Sequence, residues 1–133
     1  MQEALILYAS TALIFLGVDS LGLRLLVAPA FRKQLGDAML DAPRLGPAAA
    51  FYLFFVAGIV FFVSIPSMDA GGPARAFWMG AFLGALAYGT YEFTNLATLK
   101  RWSWKLVLTD GLWGTALTGV AAAGGVWITR ALL

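Results

Sequence analysis

The stretch "GALAYGTYEFTNLATLK", residues 84–100, is built mostly from small and apolar side chains, yet it carries Glu92 and Asn95 before it ends at a lysine. It closes an apolar run that begins near residue 75, which reads as a membrane helix with an acid at depth. Gly80, Gly84, Tyr88, Glu92 and Asn95 follow one another three or four residues apart, so a helix places them along one stripe. Glycines at that spacing let membrane helices approach closely. The acid therefore sits on the face expected to meet another helix.

The rest of the chain agrees with this setting. It has 133 residues, 61% of them apolar and 12% charged, with a mean hydropathy of +0.82, far more apolar than a soluble domain. Four runs are long enough to cross a hydrocarbon core of ~30 Å, which needs about 20 residues. They fall near residues 4–28, 47–65, 75–98 and 106–130. Prolines mark the boundaries: Pro29 follows the first run, Pro47 opens the second, Pro66 ends it and Pro73 precedes the third. The expected architecture is a single-domain, all-α, integral membrane four-helix bundle.

Between helices one and two, "FRKQLGDAMLDA" (residues 31–42) sets Phe31, Leu35, Ala38 and Met39 at helical spacing. It reads as a short amphipathic interfacial helix over residues 31–41. Basic residues gather in that loop (Arg32, Lys33, Arg44) and in the one after helix three (Lys100, Arg101, Lys105), against Arg75 and Arg130 on the other side. By the positive-inside rule both termini of this multi-pass chain face away from the cytoplasm. The start of the chain lacks a basic region and a cleavage site, so the first run is expected to be retained. Trp102 and Trp104 at one boundary, with Trp78 and Trp127 at the other, fit interfacial belts.

Composition also narrows the chemistry. The chain has no Cys and no His, which removes thiolate nucleophiles, imidazole bases and Cys/His metal sites. A net charge of +2, spread over connecting segments, gives no nucleic-acid surface. No metal ligand set, cofactor motif or catalytic spacing is present. The unusual feature is three acids at depth. At 1.5 Å per residue, Asp19 lies ~15 Å from Pro29, Glu92 ~12 Å from Lys100 and Asp110 ~7 Å from Lys105.

A charge at the centre of a membrane helix costs ~2.5–3.5 kcal/mol on insertion scales, so all three acids are expected to face the interior. On the fourth helix Asp110, Gly114, Leu117, Ala121 and Gly125 form a stripe beside Trp113, and we expect it to pack on the stripe of the third. Arg24 is the one deep cation, able to pair with Asp19 or to snorkel outward. The other acids need donors, for which Tyr88, Tyr91, Thr94, Asn95 and Trp113 are candidates. The second helix, apart from Tyr52 and Ser64, reads as scaffold. The candidate ligand-binding set is therefore Asp19, Arg24, Tyr88, Tyr91, Glu92, Thr94, Asn95, Asp110 and Trp113.

The segment "YEFTNLATLK" followed by Trp102, the later "DGLWG", and "VAPAFRKQLG" after the first acid resemble the bacterial membrane-protein family catalogued as domain of unknown function 2177. The likeness runs over essentially the whole chain. It departs at Glu92, where the family often has Asp, and at Gly22, near which the family often has Trp. The resemblance implies a four-helix inner-membrane protein, and the occurrence of relatives beside lipid-modifying enzymes implies a lipid role. Four functions are compatible with these residues. The favoured one is binding of a lipid or other amphipathic ligand in aid of membrane-lipid metabolism. The alternatives are a small proton-coupled transporter, carboxylate catalysis, and a structural accessory subunit. Membrane lipid, a second copy of the chain or a membrane enzyme are the partners these readings imply.

Overall fold

A computed structural model describes residues 1–133. The chain forms four long helices and no strand. α1 spans Gln2–Ala38, α2 Leu45–Asp69, α3 Gly72–Thr98 and α4 Trp104–Leu132. Helices α1, α2 and α4 are each long and apolar enough to cross a membrane. With 27 residues, α3 is long enough as well, its apolar content diluted by glycine, tyrosine and threonine. The protein is an all-α membrane bundle.

Pro29 and Pro66, expected to close their helices, instead lie within them. Each follows a π-turn, Leu23–Val27 in α1 and Val60–Ser64 in α2. A proline ring collides with the carbonyl four residues back and offers no N–H, so the wider π-turn lets the helix pass without a break. The amphipathic stretch between helices one and two is accordingly continuous with α1, helical over Ala28–Leu35 and ending in a 3₁₀ turn, Gly36–Ala38. A rod of 37 residues is roughly 55 Å long against a ~30 Å core, so its polar end extends past the hydrocarbon. Gly36, at φ 54°, makes the turn that ends it.

That polar end docks on the turn between α3 and α4. Arg101 donates to the Leu35 carbonyl at 2.7 Å and to Asp37 at 2.8 Å. The Ser103 hydroxyl donates to Gln34 at 3.1 Å. Phe31 meets the Trp102 ring edge-on at 5.3 Å, and Leu35 and Leu96 pack beside Trp102, Leu106 and Val107. Trp102 is only 8% exposed, so it is an interior residue and not part of an interfacial belt. Trp78, Trp104 and Trp127 stay on the outer surface.

The end of the bundle that holds the termini is well packed. Leu7, Phe15, Val56, Ile59, Val63, Ala76, Leu117, Ala121 and Val126 form one apolar core. Arg75 donates to the Pro66 carbonyl at 3.1 Å and Arg130 to that of Met68 at 3.2 Å, satisfying carbonyls at the end of α2. The other end is looser. Over Leu45–Ile59, α2 packs chiefly on α1, and it reaches α3 and α4 mainly from Val60 onward. The two halves of the bundle therefore differ in how tightly α2 is held.

The tightest contact joins α3 to α4. A Cβ at Gly84 would stand 2.7 Å from the Gly114 carbonyl oxygen and from Thr118. One at Gly80 would meet Ala122 at 2.8 Å, and one at Gly114 would overlap the Tyr88 ring. The two helices fit only because these positions lack a side chain. Gly84→Ala is expected to destabilise the folded protein by about 1–3 kcal/mol through overpacking. Gly58→Ala, whose added methyl meets open space, should stay within about 0.5 kcal/mol of the parent. Unfolding midpoints of the two variants in the same detergent measure the difference.

Candidate functional site

The stripes on α3 and α4 bring the acids to the interior. Asp19 is 3% exposed, Asp110 7% and Glu92 0%. They form two linked groups, each built around a tryptophan donor.

In the first group the Trp113 indole N–H donates to Asp19 at 3.0 Å, joining α4 to α1. Its ring lies over Gly22, where any Cβ would overlap it. Gly22 thus makes room one helical turn from Asp19 for the tryptophan that holds the acid. Tyr52, on α2, lies close to the same carboxyl. The sequence sets it apart, with Ser64, as a polar side chain in an otherwise scaffold-like helix, but does not place it in the site.

In the second group the Trp102 indole N–H donates to Glu92 Oε1 at 2.9 Å. Trp102 was missed as a site residue, because only the turn after α3 folds it back ten positions onto the acid. Tyr91 packs edge-on against the same indole at 5.7 Å. Glu92 Oε2 has no N–H or hydroxyl donor; the group within its hydrogen-bonding range is the Asp110 carboxyl. Two carboxyl groups can hydrogen-bond only with a proton between them, so the closeness of Glu92 and Asp110 across the α3–α4 seam favours protonation of one of them. Asp110 also lies within electrostatic reach of Asp19, and the two groups form one polar interior.

Arg24 stands apart. Its side chain is exposed on α1 and makes no ion pair, so of the two alternatives for it the outward one is seen, and the Trp113 indole is the donor to Asp19. The acids are held by neutral groups and by one another.

A cavity of about 950 Å³ adjoins this interior, between α1, the connector to α2, the first half of α2, and α3. Its walls are mostly apolar and aromatic, with Val27, Phe31, Phe51, Tyr52 and Ala87 among them. Tyr88, Tyr91, Thr94, Asn95 and Asp110 supply its polar side, and Arg32 stands at the basic end. Five of the nine expected ligand-binding residues face this space. Asp19, Glu92 and Trp113 lie behind its wall, and Glu92 borders a smaller groove of about 170 Å³ on the opposite side of the α3–α4 seam. The Tyr88 hydroxyl is buried with no hydrogen-bond partner, an uncommon state for a buried polar group.

The connector carries the cavity floor, with Met39, Leu40 and Pro43 in the lining, and it is tethered by the Asp37–Arg101 pair. The Arg101 guanidinium holds the Asp37 carboxyl below its ordinary value near 3.8. The tether's contribution is therefore complete above that ordinary value and is lost as pH falls through the lowered one. Because the chain has no cysteine, Met39→Cys provides a clean probe. Its labelling by a thiol reagent is expected to be slow at neutral pH and to rise by no more than a few-fold when Arg101→Ala is added, since the pair is exposed.

Replacing Trp102 by Phe keeps a ring against Phe31 and removes the N–H that satisfies Glu92. This is expected to cost about 1–3 kcal/mol, the range for a buried acceptor left without its donor. The loss should be seen as a lower unfolding midpoint.

A family model described as "Predicted membrane protein (DUF2177)" matches residues 4–127. No curated protein and no solved structure gives a significant match.

Proposed function

The chain belongs to the DUF2177 family of predicted membrane proteins, and from that premise we propose that it binds a membrane amphiphile in the cavity between α1, α2 and α3. The observation that carries this reading is the cavity itself. Its volume of about 950 Å³ lies at the upper end of the ~300–1,000 Å³ range of small-molecule sites, and apolar walls with a few convergent polar groups are the usual composition of such sites. The loose first half of α2 supports lateral entry of an acyl or isoprenoid chain from the bilayer. The basic residues of both loops support an orientation with the cavity in the inner leaflet and both termini on the non-cytoplasmic side of the inner membrane. A role beside a lipid-modifying enzyme, presenting or holding a lipid, is consistent with this position.

The test is retention of lipid. After mild extraction, native mass spectrometry of the parent chain is expected to show bound lipid. Ala87→Trp, which fills the cavity from α3, should remove most of it with helix content unchanged by circular dichroism. Equal retention in the two proteins would exclude the cavity as the site.

A second reading draws on the Glu92–Asp110 contact. Asp110 borders the cavity and Glu92 borders the groove across the seam, so a proton passed between the two carboxyls would connect two faces of the bundle, and intramembrane acids of this kind serve as proton relays in transporters. Proteoliposomes would then show substrate-driven proton movement that Glu92→Gln abolishes, and no such movement with any amphiphile that binds would exclude transport.

A further inference from the structure

Resting on the reading of the cavity as an amphiphile site, we propose that its ligand is cationic: an amine or quaternary ammonium carried on an apolar chain, with the charged end against Asp110 and the tyrosines. Three observations on separate elements lead to this class.

The first is charge. Asp19, Glu92 and Asp110 are buried within reach of one another, and no basic side chain is among them, since Arg24 is exposed and unpaired. Three buried carboxyls without a counter-charge stay neutral in a medium of low dielectric unless a cation joins them, so a cation is the partner whose binding this cluster can favour by ionising.

The second is the wall. Asp110 is the acid that borders the cavity, and Phe51, Tyr52, Tyr88 and Tyr91 surround the same space. Aromatic faces attract ammonium groups and are a common means of holding quaternary amines. An anionic end would gain nothing from these faces and would meet Asp110 unfavourably.

The third is an unfilled valence. The buried Tyr88 hydroxyl, on a residue of the cavity wall, has no hydrogen-bond partner. A protonated amine at Asp110 brings up to three donors, which can serve the Tyr88 oxygen as well as the acid. Arg32, at the basic end of the cavity, bars a cation from that end. The charge of the site is therefore polarised along the cavity, negative inward and positive outward.

The experiment compares three probes of equal chain length on the unaltered protein in a nonionic micelle, by native mass spectrometry with titration: dodecylammonium, dodecanol and dodecyl sulfate. The cation is expected to bind about tenfold more tightly than either other probe, the effect of ~1.4 kcal/mol of added interaction. Asp110→Asn should bring the ratio of cation to dodecanol affinity down to near one. Equal binding of all three, or preference for the sulfate, would overturn the cationic assignment and leave the amphiphile site standing. Binding of none would overturn both readings. Retention of the cation preference in a folded Asp110→Asn protein would also overturn the assignment. The comparison on the unaltered chain decides the ligand class even if the variant does not fold.

Discussion

The close contact between α3 and α4 is the constraint on which the rest of the molecule depends. Two membrane helices gain no hydrophobic advantage from leaving lipid for one another, so their association rests on dispersion contacts and on polar groups that find partners. Here Gly80, Gly84, Gly114 and Gly119 remove the side chains that would hold the backbones apart. That approach sets Glu92 on α3 beside Asp110 on α4. The threonines on α4 cause no difficulty in the seam, because Thr118 satisfies its hydroxyl on the Gly114 carbonyl at 2.7 Å. The seam and the carboxyl contact are thus one feature, since without the glycines the acids could not meet.

From this hairpin the bundle is built unequally. The end near the termini is filled by aliphatic side chains from all four helices and tied off by Arg75 and Arg130 on the carbonyls of α2. At the opposite end α2 leans on α1 and leaves α3, and the space between becomes the cavity. The π-turns before Pro29 and Pro66 belong to the same geometry. One allows α1 to continue into a polar extension that docks on the α3–α4 turn. The other lies where α2 begins to engage the remaining helices.

The polar interior uses neutral donors where a salt bridge was available in principle. Trp113 serves Asp19 and Trp102 serves Glu92, with Tyr52 of α2 close to Asp19. A tryptophan N–H satisfies a carboxyl oxygen without neutralising its charge. The interior therefore keeps three carboxyls that no arginine or lysine side chain pairs, beside an aromatic cavity.

The helix count, the membrane setting, the interior position of all three acids and the matching glycine stripes were legible in the sequence. They follow from run length, from the cost of charge in hydrocarbon and from helical phase, which are properties of local segments. Helix continuity through two prolines was not legible, because it depends on whether neighbouring packing favours a π-turn over a stop. The roles of Trp102, Tyr52 and Arg24 were hidden for a related reason. Each is set by how one helix tilts or how one turn folds back, and the same residue types at the same spacings could face lipid, water or interior. The sequence by itself determined that buried acids must be satisfied. Tertiary structure decided which side chains satisfy them and that an open cavity remains beside them, because both depend on where α2 stops following its neighbours.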